Sequence, residues 1–322
     1  MASGSTVSLS GGTTMTQVVT GDVIDDADYN NMRTNINALM SGAQDVTLGT
    51  YTAANTYGWD QGGAGVSSVS AGEVVDASST NGFKDLQDDV QAMCAFLGVT
   101  VRTGVGTDVT SSDTITAATW SNTMLNIQDC WNNRFSPASR TAATDGSETR
   151  TAAWTNTLSQ ITSFNFGTEA AARAFFNGGG GVGVSASRTG GSSHDQNTQW
   201  TNKLSAISDV FLFHDTTTGS AGTSAGIGFY ELTTSAQQLL IYYGGASPYT
   251  SDFVKVSGYV NSTTNPTIVY IRIDLQDAGD NVLDQNVDGT LTINARRTTP
   301  DANGSGFSFS NPSASQGSIT GS

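Results

Sequence analysis

The chain has 322 residues, of which charged residues make up 13%, and a formal net charge of −15 with a pI near 4.2. Phosphate binding needs clustered Lys and Arg, and Arg296-Arg297 is the single basic pair, so no nucleic-acid groove is expected. No run approaches the ~18 apolar residues of a membrane span. Met1-Ala2-Ser3-Gly4-Ser5-Thr6 lacks the basic and apolar regions of a signal peptide, so synthesis in a cytoplasm is expected.

Charge is about half of the ~25% usual for a soluble domain. Three lysines occur, Lys84, Lys203 and Lys255, and Ser, Thr, Asn and 37 glycines take their place. A free monomer keeps its surface dispersed with charge. Hydroxyls and amides suit a surface facing neighbouring subunits, although a halophilic or secreted β-rich protein has the same texture.

Residues 1–20 form a Ser/Thr/Gly arm with a β-prone piece, Thr16-Gln17-Val18-Val19. Helices are predicted over 25–41, 80–97, 116–135 and 150–163. Asp25 or Asp26 caps the first and Thr114 or Thr116 the third. Gly42 and Gly98 stand just past two ends, where a left-handed residue is favoured. Cys94 and Cys130 fall on apolar sides of these helices, as buried small hydrophobes rather than a disulfide or a zinc site. Long polar linkers separate the helices. The stretch 51–69, with Tyr57-Gly58-Trp59-Asp60-Gln61-Gly62-Gly63, reads as an excursion that docks on a neighbour.

An aromatic opens the same amphipathic stripe five times, at Tyr29, Phe83, Trp120, Trp154 and Trp200. Apolar residues follow at i+3 or i+4 and at i+7, as with Met124 and Ile127 after Trp120, or Leu158 and Ile161 after Trp154. Helices this short must be buried against something, and part of that burial is expected against another chain. The spacings of 54, 37, 34 and 46 residues exclude a regular solenoid.

From about residue 166 the period changes. A helix over 168–176 stops at Gly178 to Gly181, Val182-Gly183-Val184-Ser185-Ala186-Ser187 alternates as a strand, and the Trp200 helix follows. Strands are predicted over 210–214, 227–232, 238–243, 253–260, 267–275 and 289–295, with turns at Gly244-Gly245 and Asp288-Gly289. The tail over 300–322 is Gly/Ser/Asn-rich, with Phe307 and Phe309 as anchors. Such arms bury too little to order by themselves, so partner chains are expected to hold them. The expected fold is α+β: short-helix repeats with long polar linkers, then a β-rich, sandwich-like domain with two short helices. The division is an arm over 1–20, a helical region over 21–165, a β-rich domain over 166–299 and an arm over 300–322.

No catalytic motif survives inspection. Gly222-Thr223-Ser224-Ala225-Gly226 fits the hydrolase G-x-S-x-G, but that motif needs a strand before it and a helix after it. His194 and His214 both precede Ser224, against the required order. Gly178-Gly179-Gly180-Gly181-Val182-Gly183 fits G-x-G-x-x-G, but it ends a helix instead of opening one. Asp277, Asp280, Asp284 and Asp288 gather in one loop and are calcium candidates through oxygen ligands, without EF-hand spacing. A solvated acidic turn is the simpler reading. No cofactor is expected. Asn261-Ser262-Thr263 and Asn303-Gly304-Ser305 are sequons by pattern alone.

Two stretches carry a resemblance. One is Gly21-Asp22-Val23-Ile24-Asp25-Asp26-Ala27-Asp28-Tyr29-Asn30 with Tyr57-Gly58-Trp59-Asp60-Gln61. The other is Ala174-Phe175-Phe176-Asn177-Gly178-Gly179-Gly180 with Gln196-Asn197-Thr198-Gln199-Trp200-Thr201-Asn202-Lys203-Leu204 and Phe229-Tyr230-Glu231-Leu232-Thr233-Thr234, continuing to Asn286-Val287-Asp288-Gly289-Thr290-Leu291-Thr292. The sequence resembles virion structural proteins of tailed phages that infect cyanobacteria and other marine bacteria. It departs at Gly180-Gly181-Val182-Gly183, where a more strongly alternating strand is expected.

The resemblance implies a non-enzymatic, self-assembling tail, neck or external appendage component, located in the virion and partnered by its own copies and other virion proteins. A second expectation is a fibre module that recognises a host glycan, with Tyr242, Tyr243, Tyr249 or Tyr259 lining a groove. A third is a bacterial surface filament or sheath subunit.

Overall fold

The computed structural model describes residues 6–8, 13–22, 24–42, 58–62, 67–73, 75, 82–110, 113–278 and 285–321. It is an α+β fold with a helical layer beside a two-sheet sandwich.

The helical layer opens with a hairpin, β1 (Thr6–Ser8) and β2 (Thr14–Thr16), followed by α1 (Asp26–Met40), α2 (Phe83–Leu97) and α3 (Ala117–Asn132). Asp25 caps α1 in a reciprocal box with Asp28, and the Thr116 hydroxyl accepts the Thr119 N–H of α3. Gly98 ends α2 in the left-handed region at φ 67°. The stripes converge on one core: Tyr29, Met32 and Ile36 from α1, Phe83, Leu86 and Val90 from α2, and Trp120, Met124 and Ile127 from α3. Phe83 and Trp120 stack at 5.4 Å. The thiols of Cys94 and Cys130 lie 3.5 Å apart, reduced and fully buried in this core.

The described part of the 51–69 excursion docks on its own chain. Trp59 is fully buried, its indole Nε1 donates to the Arg134 carbonyl at 3.0 Å, and its ring meets Phe96 edge-on at 4.9 Å. Residues 51–57 and 63–66 lie outside the described residues.

The sandwich begins earlier than the change of period suggests. Residues 150–163, expected to be a helix, supply the end of β3 (Arg140–Arg150), an isolated bridge between Trp154 and Val287, and most of β4 (Thr157–Asn165). In β4, Leu158, Gln160, Thr162 and Phe164 point inward and are buried, while Ser159, Ile161 and Ser163 point outward. This period-2 pattern displaces the helical stripe, and Ile161 is left 39% exposed.

The elements α4 (Glu169–Asn177), β5 (Gly181–Thr189), α5 (Asp195–Ile207), β6 (Val210–Leu212), β7 (Thr217–Thr218), β8 (Thr223–Ser224), β9 (Gln237–Tyr242), β10 (Phe253–Val260), β11 (Ile268–Gln276), β12 (Thr290–Pro300), β13 (Ser313–Gln316) and β14 (Thr320–Gly321) complete the chain. The strand expected at 227–232 is a 3-10 turn, Phe229–Glu231. A Cβ on Gly228 would come within 2.3 Å of the Asp215 backbone, so the chain crosses another segment there instead of pairing along a sheet. Gly183 in β5 has a similar cause: a Cβ would lie 1.8 Å from the Val210 carbonyl of β6.

Two antiparallel sheets result. The larger has seven strands in the order β13-β4-β11-β10-β9-β8, with β14 also on β4, and the smaller runs β3-β12-β5-β6-β7. Their inner faces share one core that includes Leu158, Phe164, Val184, Val254, Ile271 and Ile293. The C-terminal arm is held by contacts within its own chain. Its β13 and β14 pair with β4, and Phe307 inserts against Trp59 and Phe96 at 5.5 Å from each.

Replacing Trp120 with alanine removes most of a core aromatic that is 2% exposed. A loss of about 3–5 kcal/mol is expected, measurable by chemical denaturation followed at a helical wavelength. An unchanged midpoint would show that the α2–α3 contact does not hold this layer.

Candidate functional site

All five repeat aromatics are buried within this one chain, so none is left over as a peg for a partner. Tyr29, Phe83 and Trp120 belong to the helical core. Trp154 and Trp200 meet edge-on at 4.7 Å inside the sandwich.

The polar groups with chemical potential are engaged in holding α5. Asp288 accepts the Ser192 hydroxyl at 2.7 Å, the Ser192 N–H at 2.9 Å and the Asn197 side-chain amide, with Arg188 at 3.5 Å. These donors, the Ser192 hydroxyl foremost, hold its carboxyl well below the usual carboxylate range. Serine, histidine and aspartate therefore meet here without forming a hydrolytic triad. The Ser192 hydroxyl donates to the carboxylate, and His194 Nδ1 is occupied as the cap of α5, accepting the Asn197 N–H at 3.3 Å. Ser224 of the G-x-S-x-G stretch donates to the Thr217 carbonyl at 2.8 Å and lies in β8, without the strand–turn–helix elbow that the motif requires.

Of the calcium candidates, Asp277 Oδ1 and Oδ2 each accept from the Gln196 amide at 2.9 Å, and Asp288 is committed as above. Asp280 and Asp284 lie outside the described residues. Among the described residues no group of three or more His, Cys, Asp or Glu side chains is placed to hold a metal. Lys203 is 2% exposed, donates to the Asp252 carbonyl and sits 5.0 Å from the Trp200 ring centre. Burial pulls its amine down to about 8 against the attraction of Asp252 and Asp277. His214 stacks on Phe135 at 3.8 Å where the two layers meet, and burial pulls it down to about 4.

The surface with groups to spare is the outer face of the larger sheet. Register places Tyr259 opposite Tyr270 and Ser163, Ser257 opposite Arg272 and Ile161, and Lys255 opposite Asp274 and Ser159. The two tyrosine rings stack at 4.6 Å. Arg272 Nε donates to Asp274 Oδ1 at 2.7 Å and its Nη2 to Ser159 Oγ at 3.1 Å, while Lys255 Nζ stands 3.6 Å from Asp274 Oδ2. An open depression of about 450 Å³ beside Arg272 is lined by Ser159, Gln160, Ile161, Gly317, Ser318 and Thr320.

No family model, curated protein or solved structure matches this chain.

Of the four tyrosines expected to line a groove, Tyr243 is exposed and packs beside Phe253 at 5.4 Å, and Tyr259 is on the open face. Tyr249 is 5% exposed and Tyr242 is half-buried against the core, so these two do not line it. The contributions of Ser159 and of Gly317, Ser318 and Thr320 escaped the sequence reading. The alternation of 157–165 is masked by polar Gln160 and Thr162 among its inward residues, and Gly317, Ser318 and Thr320 carry no apolar pattern.

Two pH effects follow. Unfolded Asp288 titrates near 3.9, and its folded value is lower, so its stabilisation is complete above about pH 4 and is lost as pH falls. Asp288→Asn should be less stable at pH 7 and should lack this acid-side loss in denaturation series taken below pH 4. For Lys203 the unfolded amine keeps its proton to about 10.4, while the folded one releases it at about 8. Stability should therefore rise between those values by on the order of 3 kcal/mol. Lys203→Met should abolish that rise; persistence of the rise would assign it to another group.

Proposed function

We propose that this chain is a non-enzymatic, self-assembling structural component of a tailed-phage virion, in the tail, neck or another external part, made in the host cytoplasm. The observation that carries the reading is the use of its reactive side chains as ties. Ser192, His194, Asp288 and Lys203 all secure α5. The sparse charge and the resemblance of its sequence stretches to phage virion proteins support the same reading. Its partners are then its own copies and other virion proteins.

A second reading, a fibre module that recognises a host glycan, is favoured by the uncovered sheet face bearing Tyr243, Tyr259 and Tyr270. Mass spectrometry of purified virions tests the first reading. Peptides of this chain at multi-copy stoichiometry are expected. Their absence from virions, with the chain instead on uninfected cells, would favour a bacterial surface filament or sheath subunit.

A further inference from the structure

We propose that the outer face of the seven-stranded sheet binds an acidic saccharide, with Arg272 and Lys255 as the cationic contacts and the Tyr259–Tyr270 pair as the stacking surface. This rests on the glycan-binding reading and adds the class of sugar.

The first argument is charge. The chain carries −15 overall, yet the strands of this sheet hold three charges in all: Lys255, Arg272 and Asp274. The face is therefore locally cationic on an acidic protein. On the smaller sheet Arg296 is paired with Asp209, Arg297 with Asp145 and Arg188 with Asp288, while Arg140 and Arg150 of its edge strand donate to backbone carbonyls. On the larger sheet Lys255 and Arg272 share Asp274, which leaves one positive charge in excess among the described residues.

The second argument is preorganisation. The Asp274 side chain is 5% exposed and lies beneath Arg272, whose own side chain is 41% exposed. Asp274 and Ser159 hold the Nε and Nη2 edges of the guanidinium, and Nη1 has no partner among the described residues. A planar fork fixed in this way loses little freedom when it meets a carboxylate or a sulfate. Lys255, 35% exposed, adds a second cation across the strand pair.

The third argument is shape. Tyr270 and Arg272 are two residues apart on one face of β11, roughly 7 Å along the strand, about the width of one sugar ring. A pyranose laid there would place its C–H face against aromatic carbon and its acidic group toward the guanidinium. Ser159, Ser318 and Thr320 around the depression supply hydroxyls of the kind that bind sugar hydroxyls.

The test is a saccharide array carrying neutral hexose, uronate-containing and sulfated oligosaccharides, probed with the full chain at about 0.15 M salt, where charges beyond ~8 Å are screened. Acidic saccharides should bind at least tenfold more tightly than neutral ones of equal length, and the uronate and sulfate arms identify the acidic group. Arg272→Gln should reduce binding at least tenfold. Lys255→Gln should reduce it several-fold, and this more peripheral change keeps the test valid if Arg272→Gln lowers the melting temperature. Tyr270→Ala should weaken neutral and acidic sugars alike. Arg102→Gln, on the helical layer, should change nothing. Equal binding of neutral and acidic sugars would overturn the inference and leave the glycan reading standing. Binding lost equally with Arg102→Gln would overturn it as non-specific attraction. Binding to no saccharide on the array would remove both.

Discussion

The pairing of β4 along its whole length is the contact on which the rest of the sandwich depends. Thr157 to Asn165 match Gln276 to Ile268 residue by residue, and the opposite edge of β4 receives β13 and β14. β4 therefore turns the C-terminal tail into part of a sheet. Leu158 and Phe164 are its inward apolar residues, and both are fully buried. A shift of one residue would bring Ser159, Ile161 and Ser163 inward and turn the apolar residues out, so the register is strongly specified. Ser159 then lies against Asp274, where its hydroxyl helps to hold Arg272.

The same tail couples the two layers. Between β12 and β13 it carries Phe307 into the helical core, and Phe309 stacks with Phe96 at 5.4 Å while also touching the sandwich core. Gln61 and Ser308 exchange two hydrogen bonds, and the Asn177 amide at the end of α4 donates to the Gly58 carbonyl. Each contact spans more than a hundred residues of sequence. The polar tail orders despite its chain entropy because its few apolar side chains complete two cores supplied mostly by other elements.

This explains which parts of the fold were legible in the sequence. α1, α2 and α3 were, because caps and an apolar stripe of period 3.6 agree within each segment. Residues 150–163 were not, since Trp154, Leu158 and Ile161 fit a helical stripe while Leu158, Gln160, Thr162 and Phe164 fit a strand. Two of those inward residues are polar, so the alternation was invisible to a search for hydrophobic periodicity. Gln160 and Thr162 are tolerated inside because they hydrogen-bond to each other, as buried polar groups require. β3, β13 and β14 contain almost no large apolar side chains, and tertiary pairing alone defines them. For the open face, β11 shows Tyr270, Arg272 and Asp274 together, but the second partner of Arg272, Ser159, comes from β4, whose local pattern reads as a helix.

Burial of all five aromatics inside the chain also constrains how copies could associate. The large apolar side chains left exposed among the described residues are Val19, Ile24, Val101, Ile161 and Tyr243, single residues rather than one patch. The eleven-residue edge strand β3 is the longest free template for pairing, yet it carries Arg140, Asp145, Glu148 and Arg150, and its register shifts opposite Ala295 and Arg296. Charges and an irregular edge are what natural sheets use against uncontrolled strand addition. Association of this chain would therefore have to run through polar surface, where hydroxyls and amides hydrogen-bond without the desolvation cost of charge. A sequence with 13% charged residues is suited to that kind of contact. In this fold the sparse charge therefore belongs to the outer surface, while the repeated aromatic pattern belongs to the interior.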